Sequence, residues 1–183
     1  MTKHFFPPAA SRRLILGGGL AAMAQACLPR QASAALGGRS LAFENLHTGE
    51  RLTATYWESG HYLLDAAQQI GWVLRDHRAN SSHVMDPNLL DLLHALGQRL
   101  ETHRPIQVIS GYRAPKTNAL LHKLSEGVAS GSLHMDGKAI DIRIAGVDLK
   151  TLRDAARSLG LGGVGFYASS NFVHVDTGRT RTW

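Results

Sequence analysis

Ser132-Leu133-His134-Met135-Asp136-Gly137-Lys138-Ala139-Ile140-Asp141-Ile142-Arg143 is the stretch on which the reading of this chain turns. From Ala139 the residues alternate with period two, the pattern of a strand that buries one face. Ile140, Ile142 and Ile144 fall on the apolar face, and Ala139, Asp141 and Arg143 on the other. A carboxylate beside a small alanine has room above the backbone. His134 lies seven residues before Asp141, and Gly137 between them can make the turn that folds His134 back over Asp141.

Phe172-Val173-His174-Val175-Asp176 repeats the pattern. Val173 and Val175 face a core, while Phe172, His174 and Asp176 share the opposite face. If both strands lie in one sheet, His134, Asp141 and His174 can converge. Two imidazoles and one carboxylate with a fourth position open suit a catalytic zinc ion. Each residue alone also has an ordinary reading: His174 as a surface or core histidine, Asp141 as an ion-pair partner of Arg143.

The elements around these stretches predict an α+β fold. Leu41 to Phe43 and Leu52 to Trp57 read as strands joined by a turn over Asn45 to Glu50. Leu63 to His77 has helical spacing. Asp86-Pro87 opens a second helix, with Asp86 as N-cap and Pro87 in the first helical position. Pro105 to Ser110 is a strand, Thr117 to Leu124 a short helix, and Gly127 to Gly131 a loop. Leu149 to Leu159 is a helix ending at Gly160, and Gly163 to Tyr167 and Asn171 to Asp176 are the final strands. Helices that cluster early and strands that cluster late favour α+β over an alternating parallel fold.

The chain has 183 residues, 44% hydrophobic and 19% charged, enough for one domain with a core. Its net charge of +6 belongs largely to one end. Residues 1–34 carry four of the 20 basic residues (Lys3, Arg12, Arg13, Arg30) and no acid, so 16 bases face 14 acids after Ala34. No basic stripe interleaved with aromatics appears, which argues against nucleic acid. The one cysteine, Cys27, also falls there. A disulfide framework and a thiolate metal site are therefore excluded from the rest of the chain.

Residues 1–34 read as a twin-arginine signal peptide. Ser11-Arg12-Arg13-Leu14-Ile15-Leu16 is followed by an apolar run to Leu28 and a small-residue cleavage site at Ala32-Ser33-Ala34. The run is shorter than the roughly 20 residues of a spanning helix, so no membrane span is expected after cleavage. Met23-Ala24-Gln25-Ala26 before Cys27 is a poor lipoprotein signal. Residues 35–40 form a short tether, leaving 41–183 as the domain.

Ser132-x-His134-x-x-Gly137-x-Ala139-x-Asp141 resembles the signature of the D-Ala-D-Ala carboxypeptidase and hedgehog-like zinc metallopeptidases. Ser110-Gly111-Tyr112-Arg113 resembles the segment that precedes it there, and Phe172 to Asp176 the strand carrying the third ligand. Asn45-Leu46-His47-Thr48-Gly49-Glu50, the Gly162-Gly163-Val164-Gly165 turn and Trp183 further resemble the MepK-type murein endopeptidases. The resemblance spans residues 40–183 and implies a central antiparallel sheet with flanking helices, bound zinc (Zn2+), and cleavage of peptidoglycan peptides in the periplasm. His134, Asp141 and His174 would be the ligands, and Arg113 would hold a substrate carboxylate or the oxyanion, with a structural ion pair as its alternative. Some relatives place an acid three residues before the last ligand, where this chain has Asn171. Asp176 is then the first candidate for the general base, or else a partner that orients an imidazole. Asp136 is a lesser candidate because its turn is expected to be exposed. Ser132 bonds a ligand or substrate, or is a plain loop residue. The remaining histidines read as surface or packing residues, with His47 and His122 nearest to pocket-lining candidates.

Three activities fit this reading. One is an endopeptidase on peptidoglycan cross-links, one a zinc carboxypeptidase on stem peptides, and one a wall-binding domain without turnover.

Overall fold

The computed structural model describes residues 37–124 and 128–183. The expected leader at 1–34, the start of the tether and part of the 127–131 loop lie outside the described residues.

The α+β class is what the sequence predicts. Among the described residues one eight-stranded sheet runs in the order β3-β2-β1-β4-β5-β7-β6-β8. Its strands are β1 (Arg39–Asn45), β2 (Arg51–Glu58), β3 (His61–Tyr62), β4 (Ile106–Ser110), β5 (Ala139–Ile144), β6 (Gly163–Tyr167), β7 (Phe172–Asp176) and β8 (Arg181–Thr182). The helices are α1 (Leu64–Val73), α2 (Pro87–Arg99), α3 (Pro115–Leu124) and α4 (Leu149–Leu159). The sheet is mixed rather than wholly antiparallel, because β1 runs parallel to β4 and β6 parallel to β8. Between β1 and β4 the chain makes the β1–β2 hairpin and two helices, a connection long enough to return in the same direction.

One face of the sheet is apolar. Ile140, Ile142, Val173 and Val175 pack with Ile70 of α1, Leu89 and Leu93 of α2, and Leu152 of α4 in one buried cluster. The other face is left for polar chemistry. The helix signals act as expected: the Asp86 side chain accepts from the Asn88 amide at 2.9 Å, and Gly160 ends α4 in the left-handed region.

Of the boundaries that differ from the sequence reading, two have a clear local cause. The expected helix over 63–77 stops at Val73, because the Leu74 carbonyl is taken by the Tyr112 amide at 2.8 Å. Gly111 lets the two segments approach: a Cβ there would overlap the Leu74 carbonyl. The strand expected from Asn171 begins at Phe172, since Asn171 has φ 54° and completes a turn instead.

Asp76 ties this region together. Its carboxylate accepts from the amides of Arg78 at 3.0 Å and Ala114 at 2.9 Å, joining the post-α1 loop to the start of α3. Burial alone would raise its carboxyl. The Thr117 side chain and the amides of Ala114, Ala79 and Arg78 outweigh burial and hold it below its ordinary value. A depressed folded-state value stabilises the protein above the ordinary carboxylate pKa, and that stability is lost as pH falls through the folded-state value. Asp76→Asn is expected to cost about 1–3 kcal/mol at neutral pH. The gap from wild type narrows below about pH 4, as urea unfolding across pH will read.

Candidate metal centre

Strands β5 and β7 pair antiparallel with Asp141 directly opposite His174 and Ala139 opposite Asp176. Side chains opposite each other in such a pair stand about 4.5–5.5 Å apart at Cβ and on the same face. The expected strand alternation therefore holds for both stretches, and it brings Asp141 and His174 together.

His134 arrives from a turn. Leu133–Asp136 form one turn of 3-10 helix, closed by Gly137 at φ 66°, a conformation that glycine adopts without a Cβ penalty. The Arg113 amide donates to the His134 carbonyl at 3.1 Å, and the His134 ring nitrogen Nδ1 lies 2.8 Å from the Gly111 carbonyl. Both bonds tie the turn to the Ser110–Arg113 segment that leaves β4. His134 is 3% exposed.

The three side chains converge as the sequence spacing predicts. His174 Nδ1 is 2.8 Å from Asp141 Oδ1, and His134 Nε2 is 3.4 Å from the same oxygen. One donor atom from each lies within 4.8 Å of the others. The chemistry of these atoms fits a cation. A carbonyl only accepts, so His134 donates from Nδ1 to Gly111, and Nε2 is the nitrogen that faces Asp141. His174 Nε2 lies 3.0 Å from Asp176 Oδ2. With that nitrogen donating to Asp176, a neutral ring has its Nδ1 lone pair available to a cation beside Asp141. A positive charge among these three atoms, whether a proton on an imidazole or a metal ion, stabilises their close approach. Four-coordinate zinc with bonds of about 2.0–2.2 Å has ligand atoms a little over 3 Å apart, the scale of the spacings here. Each imidazole also has its second nitrogen held by a carbonyl or carboxylate, the usual outer support of a metal-binding histidine.

The charges agree with the geometry. Burial alone would raise the Asp141 carboxyl, but His134 and then His174 hold it well below the usual carboxylate range. Burial alone would lower His174, but the carboxylates of Asp141 and Asp176 outweigh it and raise the imidazole. Burial lowers Arg113 from its ordinary value, with Asp141 acting the other way. Its guanidinium stands 3.8 Å from Asp141 Oδ2, and reaches only neutral acceptors, Asn118 Oδ1 and Ser110 Oγ, both at 3.3 Å. Asp141 is thus the nearest carboxylate to this largely buried cation, and their contact is a long one.

A cavity of about 460 Å³ opens over these groups, lined by Arg113, Ser132, His134, Asp141, Tyr167, Phe172, His174, Arg181 and Trp183 among others. Tyr167 and Phe172 stack at 4.6 Å, and Trp183 donates from Nε1 to the Tyr167 hydroxyl at 2.8 Å. The Trp183 ring lies 5.3 Å from that of His174.

Other sequence expectations fall as follows. Asp176 is fully buried and does not line the cavity. Its carboxylate accepts from the amides of Gly163 and Gly178 and from both terminal nitrogens of Arg181. Asp136 is exposed, as expected. His47 stacks on His77 at 4.1 Å and bonds the Ile109 carbonyl, while His122 bonds the Val128 carbonyl; neither lines the cavity. Sequence reasoning missed Arg181 and Tyr167. Their signal was faint: β8 has two residues, too few to show alternation, and Tyr167 was read only as a strand end.

Comparison with known proteins agrees with the geometry. The family described as peptidoglycan L,D-endopeptidase MepK matches residues 33–183. Peptidoglycan L,D-endopeptidase MepK of Escherichia coli (strain K12) is 43% identical over 177 residues, covering 95% of this chain and 97% of that protein. The protein of that name from Shigella flexneri gives the same figures, 43% over 177 residues. Probable peptidoglycan L,D-endopeptidase MepK of Haemophilus influenzae is 44% identical over 146 residues, 79% of this chain and 78% of its own length. The chain, with its α+β fold and its cluster of two histidines and an aspartate, belongs to the peptidoglycan L,D-endopeptidase MepK family of peptidases.

Proposed function

We propose that this protein is an exported zinc endopeptidase that hydrolyses peptide cross-links of peptidoglycan, at the bond type for which its relatives are named. The observation that carries the proposal is the convergence of His134, Asp141 and His174 at the floor of a cavity that also holds Arg113. The residues 1–34 support export through their twin arginine and apolar run. No helix among the described residues is long and apolar enough to cross a membrane.

In this reading His134 Nε2, Asp141 Oδ1 and His174 Nδ1 hold the ion. Bound zinc supplies Lewis-acid polarisation of a carbonyl and a water acidic enough to attack an amide near neutral pH. Arg113 holds a substrate carboxylate or the developing oxyanion, for which its forked and permanent charge is suited. Tyr167, Phe172 and Trp183 form an apolar wall that positions the peptide and limits water. Asp176 serves as the orienting partner of His174 rather than as a proton shuttle, because its oxygens are already taken by donors. Asp141 is the sole carboxylate lining the cavity among the described residues.

Digestion of purified, cross-linked peptidoglycan followed by mass analysis tests the proposal. Cross-linked dimers are expected to become monomers. Loss of a terminal D-alanine instead would make the protein a carboxypeptidase, and binding without new fragments a wall-binding domain. Dialysis against a chelator is expected to stop the reaction and added zinc to restore it; activity that persists after the metal is removed and verified absent would sink the zinc reading.

A further inference from the structure

We infer that Arg181 is a positioning residue of this centre, holding His174 in its ligating orientation through Asp176. The inference rests on the zinc reading above. Asp176 sits behind His174, away from the cavity. An ionised carboxylate only accepts, so the imidazole donates to it from Nε2 and leaves Nδ1 free to face Asp141. Arg181 grips the same carboxylate from the other side, with Nη2 at 2.8 Å from Oδ2 and Nη1 at 3.1 Å from Oδ1. Two parallel bonds fix the plane of the carboxylate as well as its place. The amides of Gly163 at 3.1 Å and Gly178 at 2.8 Å complete the coordination of Oδ1.

The surrounding backbone admits this pair and nothing larger. A Cβ on Gly163 would stand 2.5 Å from both Arg181 Nη1 and Asp176 Oδ2, and one on Gly178 2.9 Å from Asp176 Oδ1. A side chain at either position would force the fork apart. Strand β8 delivers the arginine, since its parallel register with β6 sets Arg181 beside Gly163. The guanidinium also lies 4.8 Å from the centre of the Trp183 ring, so the cavity wall and the support of His174 share one residue.

Stability alone does not account for the arrangement. A buried ion pair is often no more stabilising than apolar groups of the same volume. Orientation does account for it. His174 is flanked by two carboxylates. Without the arginine fork, the two amides would hold Asp176 through Oδ1 alone, and Oδ2, which fixes the ring, would be less well set.

The test compares wild type, Arg181→Met and Arg181→Lys by three readouts. These are zinc affinity by chelator competition, the visible spectrum of the cobalt(II)-loaded protein, and kcat and KM on a cross-linked muropeptide. Arg181→Met is expected to weaken zinc binding about 10–100-fold, to change the cobalt spectrum, and to lower kcat with KM nearly constant. Arg181→Lys, which keeps charge but lacks the fork, is expected to fall between; it also preserves a cation beside Asp176 if the methionine variant does not fold. Wild-type zinc affinity and an unaltered cobalt spectrum in a folded Arg181 variant, with the loss confined to melting temperature, would overturn the inference. A wild-type protein that binds neither metal would overturn the zinc reading itself, an outcome visible before any variant is compared.

Discussion

Asp141→Asn is expected to yield a folded protein with no measurable hydrolysis of cross-linked wall. The substitution preserves shape at a position fixed by strand pairing on both sides, to Ser110 in β4 and His174 in β7. What changes is charge. Asp141 Oδ1 is the atom that both imidazoles approach, at 2.8 and 3.4 Å. A neutral amide offers the ion one weak oxygen, and any rotation aims its NH2 group at the imidazoles. Outer partners of a metal site are worth about 10–100-fold in affinity, and a direct ligand is worth more. Metal-assisted catalysis contributes several kcal/mol, and about 1.4 kcal/mol is a factor of ten. Loss of zinc is thus expected to cost ~10³-fold or more. Zinc content and fragment release on the same preparation provide the check. Cross-links cut at the wild-type rate would show that the cluster is not the reaction centre.

Arg113→Ala is expected to separate chemistry from metal binding. Arg113 is no ligand: its closest carboxylate contact is 3.8 Å, to Asp141 Oδ2. Zinc content is therefore expected to stay at the wild-type level. Removal of one donor to a developing oxyanion costs about 10²–10³ in kcat, and that is the expected loss. Arg113→Lys is expected to recover only part of it, because an ammonium is a point charge without the fork. Zinc lost from Arg113→Ala along with activity would assign the residue to the scaffold instead.

Much of this centre could be read from the sequence, and the reasons are specific. Ala139 to Ile144 and Phe172 to Asp176 alternate cleanly because one sheet face meets a helix layer and the other does not. That contrast sorts Asp141 and His174 onto one side without reference to neighbours in space. Gly137 marks the turn that returns His134. The pairing of β5 with β7 was not itself legible, since register between strands that far apart is set by the whole sheet. Nor was the parallel β1–β4 contact, which depends on where two helices return the chain. Asp176 was visible as a residue on the right face. Its role depends on Arg181, which enters on a strand of two residues whose placement is fixed by hydrogen bonds to β6 and not by any pattern of its own. Asn171, which breaks the expected acidic position, proves to occupy a left-handed turn that asparagine tolerates well.

The direct pairing of Asp141 with His174 has a consequence for how the three side chains of the cluster can move apart. Asp141 and His174 face each other across one rung of the β5–β7 ladder and cannot separate without opening the sheet. The third, His134, rides on the four-residue turn Leu133–Asp136, which hydrogen bonds to Gly111 and Arg113 hold in place. In the zinc reading, His134 is therefore the one ligand of the three that can withdraw while the sheet stays intact.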